Sequence, residues 1–317
     1  MKNKKILLIS LTSLFLSSNL IAQEHPYDIW RYAGERQSEI VSVDKIKVQD
    51  RRNHLIRMHS FCTNLGIPYN DLIYYSSIHF SDAHAPVLSR VLTEYNRLRP
   101  SFLDSFVGRR IPEYLSLYCV TETMMNNDVQ RGSGRRGIWQ IDLATAEKHG
   151  LVCTEYIDER LLRDKSTEVF AKEIKDLRDS TGNWAFALVA YRDGLKVLSN
   201  ARKLSKDPND FWEVYKYLPE STQTFMMNFM GTLNSYYFGR VHGIKIKNKR
   251  NKRTKTVIIE EHIDFSEYQH SIRVPLWKLK ELNPQYLKNI VPASADAPLP
   301  VILTGNKSLK KIKETKE

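Results

Sequence analysis

Along most of the chain, apolar positions recur at helical rather than alternating spacing. Leu55, Met58, Phe61 and Leu65 are spaced by three and four, and Gly66 and Pro68 follow them, which predicts a helix ending there. Residues 71–80 start another helical or loop segment. Its aromatic residues Tyr69, Tyr74, Tyr75 and Phe80 read as core more readily than as a sugar-binding row. The apolar run at residues 114–121 is too short to separate a strand from a buried helix. Asn126, Asn127, Asp128, Gly132 and Gly134 then open a loop. A helix is predicted from Ile138 through residues 142–148, with Gly150 as its left-handed cap.

Farther on, Ser166 is the expected N-cap of a helix through Leu177 whose buried face carries Val169, Phe170, Ile174 and Leu177. Residues 184–198 read as one strongly apolar helix, residues 211–217 as a short one stopped by Pro219, and residues 222–238 as the last. The core is therefore predicted to be all-α. Residues 245–255 differ in kind: Lys245, Lys247, Lys249, Arg250, Lys252, Arg253 and Lys255 form a basic run with little apolar content, expected to be a linker. Beyond it, a strand at 257–259, helices at 265–272 and 276–282, and a strand at 301–303 predict a small βααβ module. The lysine-rich residues 305–317 read as a disordered tail.

The N-terminus changes the picture of where the protein works. Lys2, Lys4 and Lys5 precede an apolar run from residue 6 to 21 that ends at small Ala22, the pattern of a secretory signal peptide cleaved near Ala22. Serines, threonines and an asparagine interrupt that run, which is short for a membrane span. The expected location is the periplasm. The formal charge of +12 over 317 residues falls by three when the leader lysines are removed and still suits an acidic partner. For an exported protein, that partner is a wall polymer rather than nucleic acid. Cys62, Cys119 and Cys153 allow at most one internal disulfide, and without a paired CxxC no zinc site or other cofactor is expected.

The chemistry concentrates at residues 121–149, which read TETMMNNDVQRGSGRRGIWQIDLATAEKH. Glycoside cleavage needs a carboxylic acid that keeps its proton near neutral pH, and an apolar setting favours that form. Glu122 has such a setting, between Leu117, Cys119 and Val120 on one side and Met124 and Met125 on the other. A glutamate bridging at a helix end is the plainer reading of the same residue.

The motif after it shifts the balance. Glu122-Thr123, then Gly134-Arg135-Arg136-Gly137-Ile138-Trp139-Gln140, then Thr145-Ala146 resemble the signature of the soluble lytic transglycosylase-like family. Asp158-Glu159-Arg160 with Ser166-Thr167, Trp184 with Ala190-Tyr191, and Tyr217-Leu218-Pro219 with Thr222 follow in the order of its membrane-bound lytic transglycosylase D branch, over residues 111–237. The resemblance implies a mainly α, goose-lysozyme-like domain at 111–244 after a helical lead-in at 23–110. The basic linker (245–256) and the module at 257–304, a degenerate LysM-like unit or a helical cap on the enzyme, would follow. It also implies cleavage of the MurNAc-GlcNAc bond of peptidoglycan to a 1,6-anhydro product, with Glu122 acting first as acid and then as base. Thr123, Gly137, Trp139, Gln140 and Tyr191 match the family's cleft. Five positions depart from the family's cleft: Arg192 where the family has asparagine, Arg131 where it has serine, Phe225 where it has tyrosine, and Arg135 and Arg136 where it has small residues. Arg192, if paired with Glu122, would favour the ionised carboxylate and so oppose an acid; alternatively, the arginines would bind substrate carboxylates. Envelope machinery is a candidate partner of the active enzyme, and the competing expectation is a catalytically impaired scaffold of the cell envelope that binds glycan strands.

Overall fold

The computed structural model describes residues 48–130, 134–251 and 253–304. The expected leader, the tail and Arg131 lie outside the described residues. Helix α1 (Val48–Leu65) ends as its pattern predicts. Gly66 turns the chain at φ +81°, and the amide of Ile67 donates back to the Cys62 carbonyl at 2.9 Å. Helix α2 (Asp71–Val107) is far longer than the segment predicted at 71–80. The Asn70 side chain caps its first turn by accepting from the Ile73 amide at 3.1 Å. Two prolines, Pro86 and Pro100, lie inside it. A proline in a helix interior costs roughly 3 kcal/mol, so α2 owes its length to burial along one side, from Ile73 through Leu88, Leu92 and Tyr95 to Phe106.

The apolar run at 114–121 resolves into a 3-10 turn (Glu113–Leu117) that feeds helix α3 (Tyr118–Thr123). The helix expected from Ile138 begins only at α4 (Leu143–Lys148), where Asp142 accepts from the Thr145 amide at 2.7 Å. The helix expected from Ser166 starts instead at α5 (Arg163–Thr181), and the Ser166 hydroxyl is turned inward to donate to the Leu162 carbonyl. The single helix read at 184–198 is two, α6 (Trp184–Asp193) and α7 (Leu195–Leu204), because Gly194 adopts φ +94° between them. Short α8 (Phe211–Tyr215) and long α9 (Glu220–Phe238) complete the helical body.

One apolar core runs through these helices, from Met58 on α1 to Ile244 after α9. Helices α2 and α9 lie against each other, and Gly231 marks their closest approach: a Cβ there would stand 2.6 Å from the Phe80 ring and 2.7 Å from its Cβ. The aromatic residues at 69–80 serve this body, with Tyr74 and Phe80 buried and the Tyr69 hydroxyl hydrogen-bonded to His54 Nδ1 at 2.8 Å.

The basic run is not a free linker over its described length. It lies along α2, where the amides of Lys245 and Lys247 donate to the hydroxyls of Ser89 and Thr93, each at 3.0 Å. Ile244 and Ile246 turn toward the core between exposed lysines. The small C-terminal unit has the predicted βααβ order: β1 (Thr254–Ile259), α10 (Phe265–Ile272), α11 (Leu276–Leu282) and β4 (Leu299–Thr304), with β1 and β4 antiparallel. A second antiparallel pair, β2 (His262–Asp264) with β3 (Ile290–Pro292), was not predicted. The unit has its own apolar core around Phe265, Leu279 and Val291.

Replacing Gly231 by alanine tests the packing of the body. Alanine gains about 1 kcal/mol of helix propensity over glycine, whereas overpacking costs about 1–3 kcal/mol. The Phe80 atoms in the way sit at the root of that side chain, so packing wins. A net loss of about 1–2 kcal/mol in urea unfolding is expected, and an equally or more stable variant would refute the close contact.

Candidate active site

Glu122 is the penultimate residue of α3 and is 2% exposed. Short α3 is fastened at both faces: Thr121 donates to Thr232 Oγ1 of α9 at 3.0 Å, and the Tyr118 ring meets Tyr191 of α6 edge-on at 5.2 Å. Met124 and Met125 both take left-handed backbone angles, φ +53° and +63°, directly after it. Such angles at non-glycine residues persist only where the surroundings impose them, and they gather at functional sites. Here they let the Met124 and Met125 amides close α3 onto Val120 and Cys119.

The carboxyl of Glu122 faces Arg192, the last buried residue of α6. Arg192 Nε stands 3.3 Å from Glu122 Oε2, its Nη1 donates to Asp193 Oδ2 at 2.7 Å, and its guanidinium lies 5.1 Å from the centre of the Phe225 ring. Asp193 is held in turn by the Thr222 hydroxyl at 2.8 Å. The pair contemplated for Glu122 and Arg192 is thus formed. A buried carboxylate faces a buried guanidinium, and each offsets the other's cost of burial.

The loop after Glu122 is a tight hairpin. Arg136 and Ile141 exchange backbone hydrogen bonds at 3.1 Å in both directions, and the Gln140 amide closes the turn onto the Gly137 carbonyl at 3.0 Å. Gly137 sits at φ +76°, and a Cβ on it would meet the Arg160 carbonyl oxygen at 2.5 Å, so this position needs glycine on two counts. Gln140 takes φ +51°, which is why the helix expected at Ile138 does not start there.

The side chains read as cleft residues are largely engaged in holding that hairpin. Trp139 is fully buried, stacked on Phe170 at 4.2 Å, with its Nε1 donating to Thr167 Oγ1 at 2.9 Å. The Tyr191 hydroxyl donates to the Trp139 carbonyl at 2.8 Å, and burial pushes its acidity far below that of a free tyrosine. Thr123 donates to the Cys119 carbonyl and, at 3.4 Å, toward that of Ile138. Gln140 Nε2 donates to the carbonyls of Val129 and Gly137, while its Oε1 is a buried acceptor with no partner among the described residues.

The remaining arginines brace the hairpin from outside. Arg135 Nη1 donates to the carbonyls of Tyr191 and Arg192 at 3.0 and 2.7 Å, tying the hairpin to the end of α6. Arg136 and Arg160 both reach Asp158, at 3.1 Å and at 2.7 and 2.9 Å. Burial pushes the Asp158 carboxyl up, but the bonds from Arg160 and Arg136 outweigh it and hold the group below the usual carboxylate range. Asp158, Arg160 and Thr222 belong to blocks that the family likeness had already picked out, whereas Asp193, which links Thr222 to Arg192, had no signal in the sequence. Among the described residues, no cluster of three His, Cys, Asp or Glu forms a metal site. The cavity of about 630 Å³ bordered by Arg57, Arg99 and Tyr237 does not include Glu122.

This helix-end glutamate and the strained glycine hairpin after it fall inside a segment similar to a known family. Residues 110–213 match the family model described as Transglycosylase SLT domain. Among curated proteins, the chain is similar to the membrane-bound lytic murein transglycosylase D of Escherichia coli strain K12, at 23% identity over 180 residues, 55% of this chain and 39% of the relative. The protein of that name from Escherichia coli O6:H1 gives the same figures. The chain thus spans well under half the length of these curated relatives.

A double-mutant cycle measures the central contact. With Glu122→Gln, Arg192→Met and the pair combined, the two changes should be non-additive in unfolding free energy by about 1–3 kcal/mol. Arg192→Met alone should be the more destabilising, since removing one partner of a buried pair typically costs about 3–5 kcal/mol. Additive effects would show that the 3.3 Å contact carries no energy.

Proposed function

We propose that the chain is a peptidoglycan lytic transglycosylase that cleaves the MurNAc-GlcNAc bond and leaves a 1,6-anhydroMurNAc end, with Glu122 as its acid and base. The observation that carries this reading is the burial of Glu122 at the end of α3 within the matched transglycosylase segment. In the reaction, the Glu122 proton passes to the leaving glycosidic oxygen as the bond to C1 breaks. The sugar's own C6 hydroxyl then bonds to C1, and its proton returns to the Glu122 carboxylate. Atoms balance without a second carboxylate or a water.

The first step needs a proton on Glu122, and a carboxylate paired with a guanidinium does not hold one. Arg192 therefore has to leave Oε2 when the glycan enters. Asp193 Oδ2 and the Phe225 ring already hold its other end, so the arginine has a place to rest. Gln140 Oε1 is the acceptor available to a sugar amide, and Thr123, Gly137, Trp139 and Tyr191 act by fixing the hairpin that presents it. No helix among the described residues is long and apolar enough to cross a membrane. The leader read from the sequence favours work in the periplasm on the wall. The C-terminal unit keeps two helices between antiparallel β1 and β4, which supports its reading as a LysM-like relative, while its β2–β3 pair is an addition to that order.

A second reading rests on one specific observation. If Arg192 stays on Glu122, the protein binds glycan strands without cutting them, as a scaffold. Incubation with peptidoglycan sacculi separates the two. The wild type is expected to release anhydromuropeptides detectable by mass spectrometry, and Glu122→Gln to lower that rate by about 10²-fold or more. Binding without product from the wild type across a range of pH would establish the scaffold, and product from both proteins would remove Glu122 as the acid.

A further inference from the structure

We infer that the C-terminal unit is a positioning element for the hairpin in front of Glu122, acting through residues 285–288; this rests on reading that hairpin as part of the active site. The contact is backbone to backbone. Ile157 and Tyr286 form an antiparallel bridge, flanked by the Asp158 amide donating to the Gln285 carbonyl at 2.9 Å and the Leu287 amide donating to the Tyr156 carbonyl at 2.8 Å. Ile157 packs into the small unit's own core, and Lys288 pairs with Glu155 while its ammonium stands 5.2 Å from the Tyr156 ring centre. The segment 155–158 of the helical body is thus paired like a strand by the terminal unit.

The same segment begins the frame of the hairpin. Asp158, whose amide is fixed by Gln285, uses its carboxylate to orient Arg160 and Arg136. Arg160 Nη1 then donates to the carbonyls of Gly134 and Ile141, at 2.9 and 3.3 Å, at the two ends of the hairpin. The Arg160 carbonyl fills the space beside Gly137. Arg160 is 7% exposed and Asp158 2%, so this chain of contacts is buried and its polar groups are costly to leave unmet. A wall-binding unit on a loose tether would need none of it. The basic strap adds a second anchor, since Arg97 Nη1 of α2 donates to Asn251 Oδ1 just before β1.

Leu287→Pro tests the coupling in the full chain. Tyr286 is extended, at φ −85° and ψ 106°, which suits the residue before a proline, and Leu287 leads into a turn whose left-handed angles fall on Lys288 and Asn289 rather than on the substituted residue. The substitution therefore deletes the hydrogen bond to Tyr156 with little other damage, and Leu287→Ala, which keeps the amide, is the control. Hydrogen exchange by mass spectrometry should quicken at least fivefold in both 153–158 and 134–141 for Leu287→Pro, with residues 184–193 unchanged and Leu287→Ala matching the wild type. Faster exchange at 153–158 alone, or at neither segment, would overturn the inference. In a sacculus assay, Leu287→Pro should lower kcat with KM unchanged, whereas a purely wall-binding unit would move KM and leave kcat. An inactive wild type whose exchange is still coupled would overturn the catalytic reading alone.

Discussion

A buried carboxylate and a buried guanidinium facing each other are the constraint around which the rest of this structure is arranged. Glu122 and Arg192 are 2% and 8% exposed, and neither is tolerable there alone. Their meeting requires α3 to end where it does, with two left-handed methionines turning the chain away immediately after the glutamate. It also requires α6 to stop at Gly194, so that Arg192 and Asp193 fall at its last turn, and α9 to supply Phe225 and Thr222 behind them. Replacing such a pair by apolar residues is often neutral or stabilising, so stability alone is a weak reason for it. In the proposed reaction the pair has a chemical role: Arg192 holds the Glu122 carboxylate until glycan takes its place.

Around this pair the polar contacts are mostly positional. Trp139, Thr123 and Tyr191 spend their hydrogen-bonding groups on the hairpin and its neighbours. Arg135 pins the hairpin to α6, and Asp158 pins it to the segment that the C-terminal unit pairs with. The departures from small residues at 135 and 136 therefore act as braces, which accounts for how a cleft with those substitutions keeps its loop geometry.

Much of this was legible in the sequence, and the failures share a cause. The ends of α10 and α11 and the burial of Phe225, Met226, Phe229, Met230 and Leu233 followed from periodicity and local caps. Glu122 stood out because of its distance to Gly137 and Gln140. Periodicity erred where a single backbone angle overrode it: at Gln140, whose left-handed φ delays α4 to Leu143, and at Gly194, which cuts one apolar helix into two. It erred again where a segment is held by a distant partner. The basic strap offers only Ile244 and Ile246 to the core, too few to show a period, and its amides are held by Ser89 and Thr93, more than 150 residues away in the chain. The bridge from Ile157 to Tyr286 is of the same kind. Such contacts leave no local pattern.

The central claim is that Arg192 both guards Glu122 and yields to glycan. A crystal structure of the Glu122→Gln protein would not test it, because the charge that holds the arginine would be gone. The direct measurement is the wild-type structure with an uncleavable glycan fragment spanning the site. The account predicts that Arg192 Nε has left its 3.3 Å position on Oε2 while Nη1 remains on Asp193, and that a glycosidic oxygen lies within hydrogen-bonding reach of Glu122. A bound fragment with the Arg192–Glu122 contact intact would contradict it.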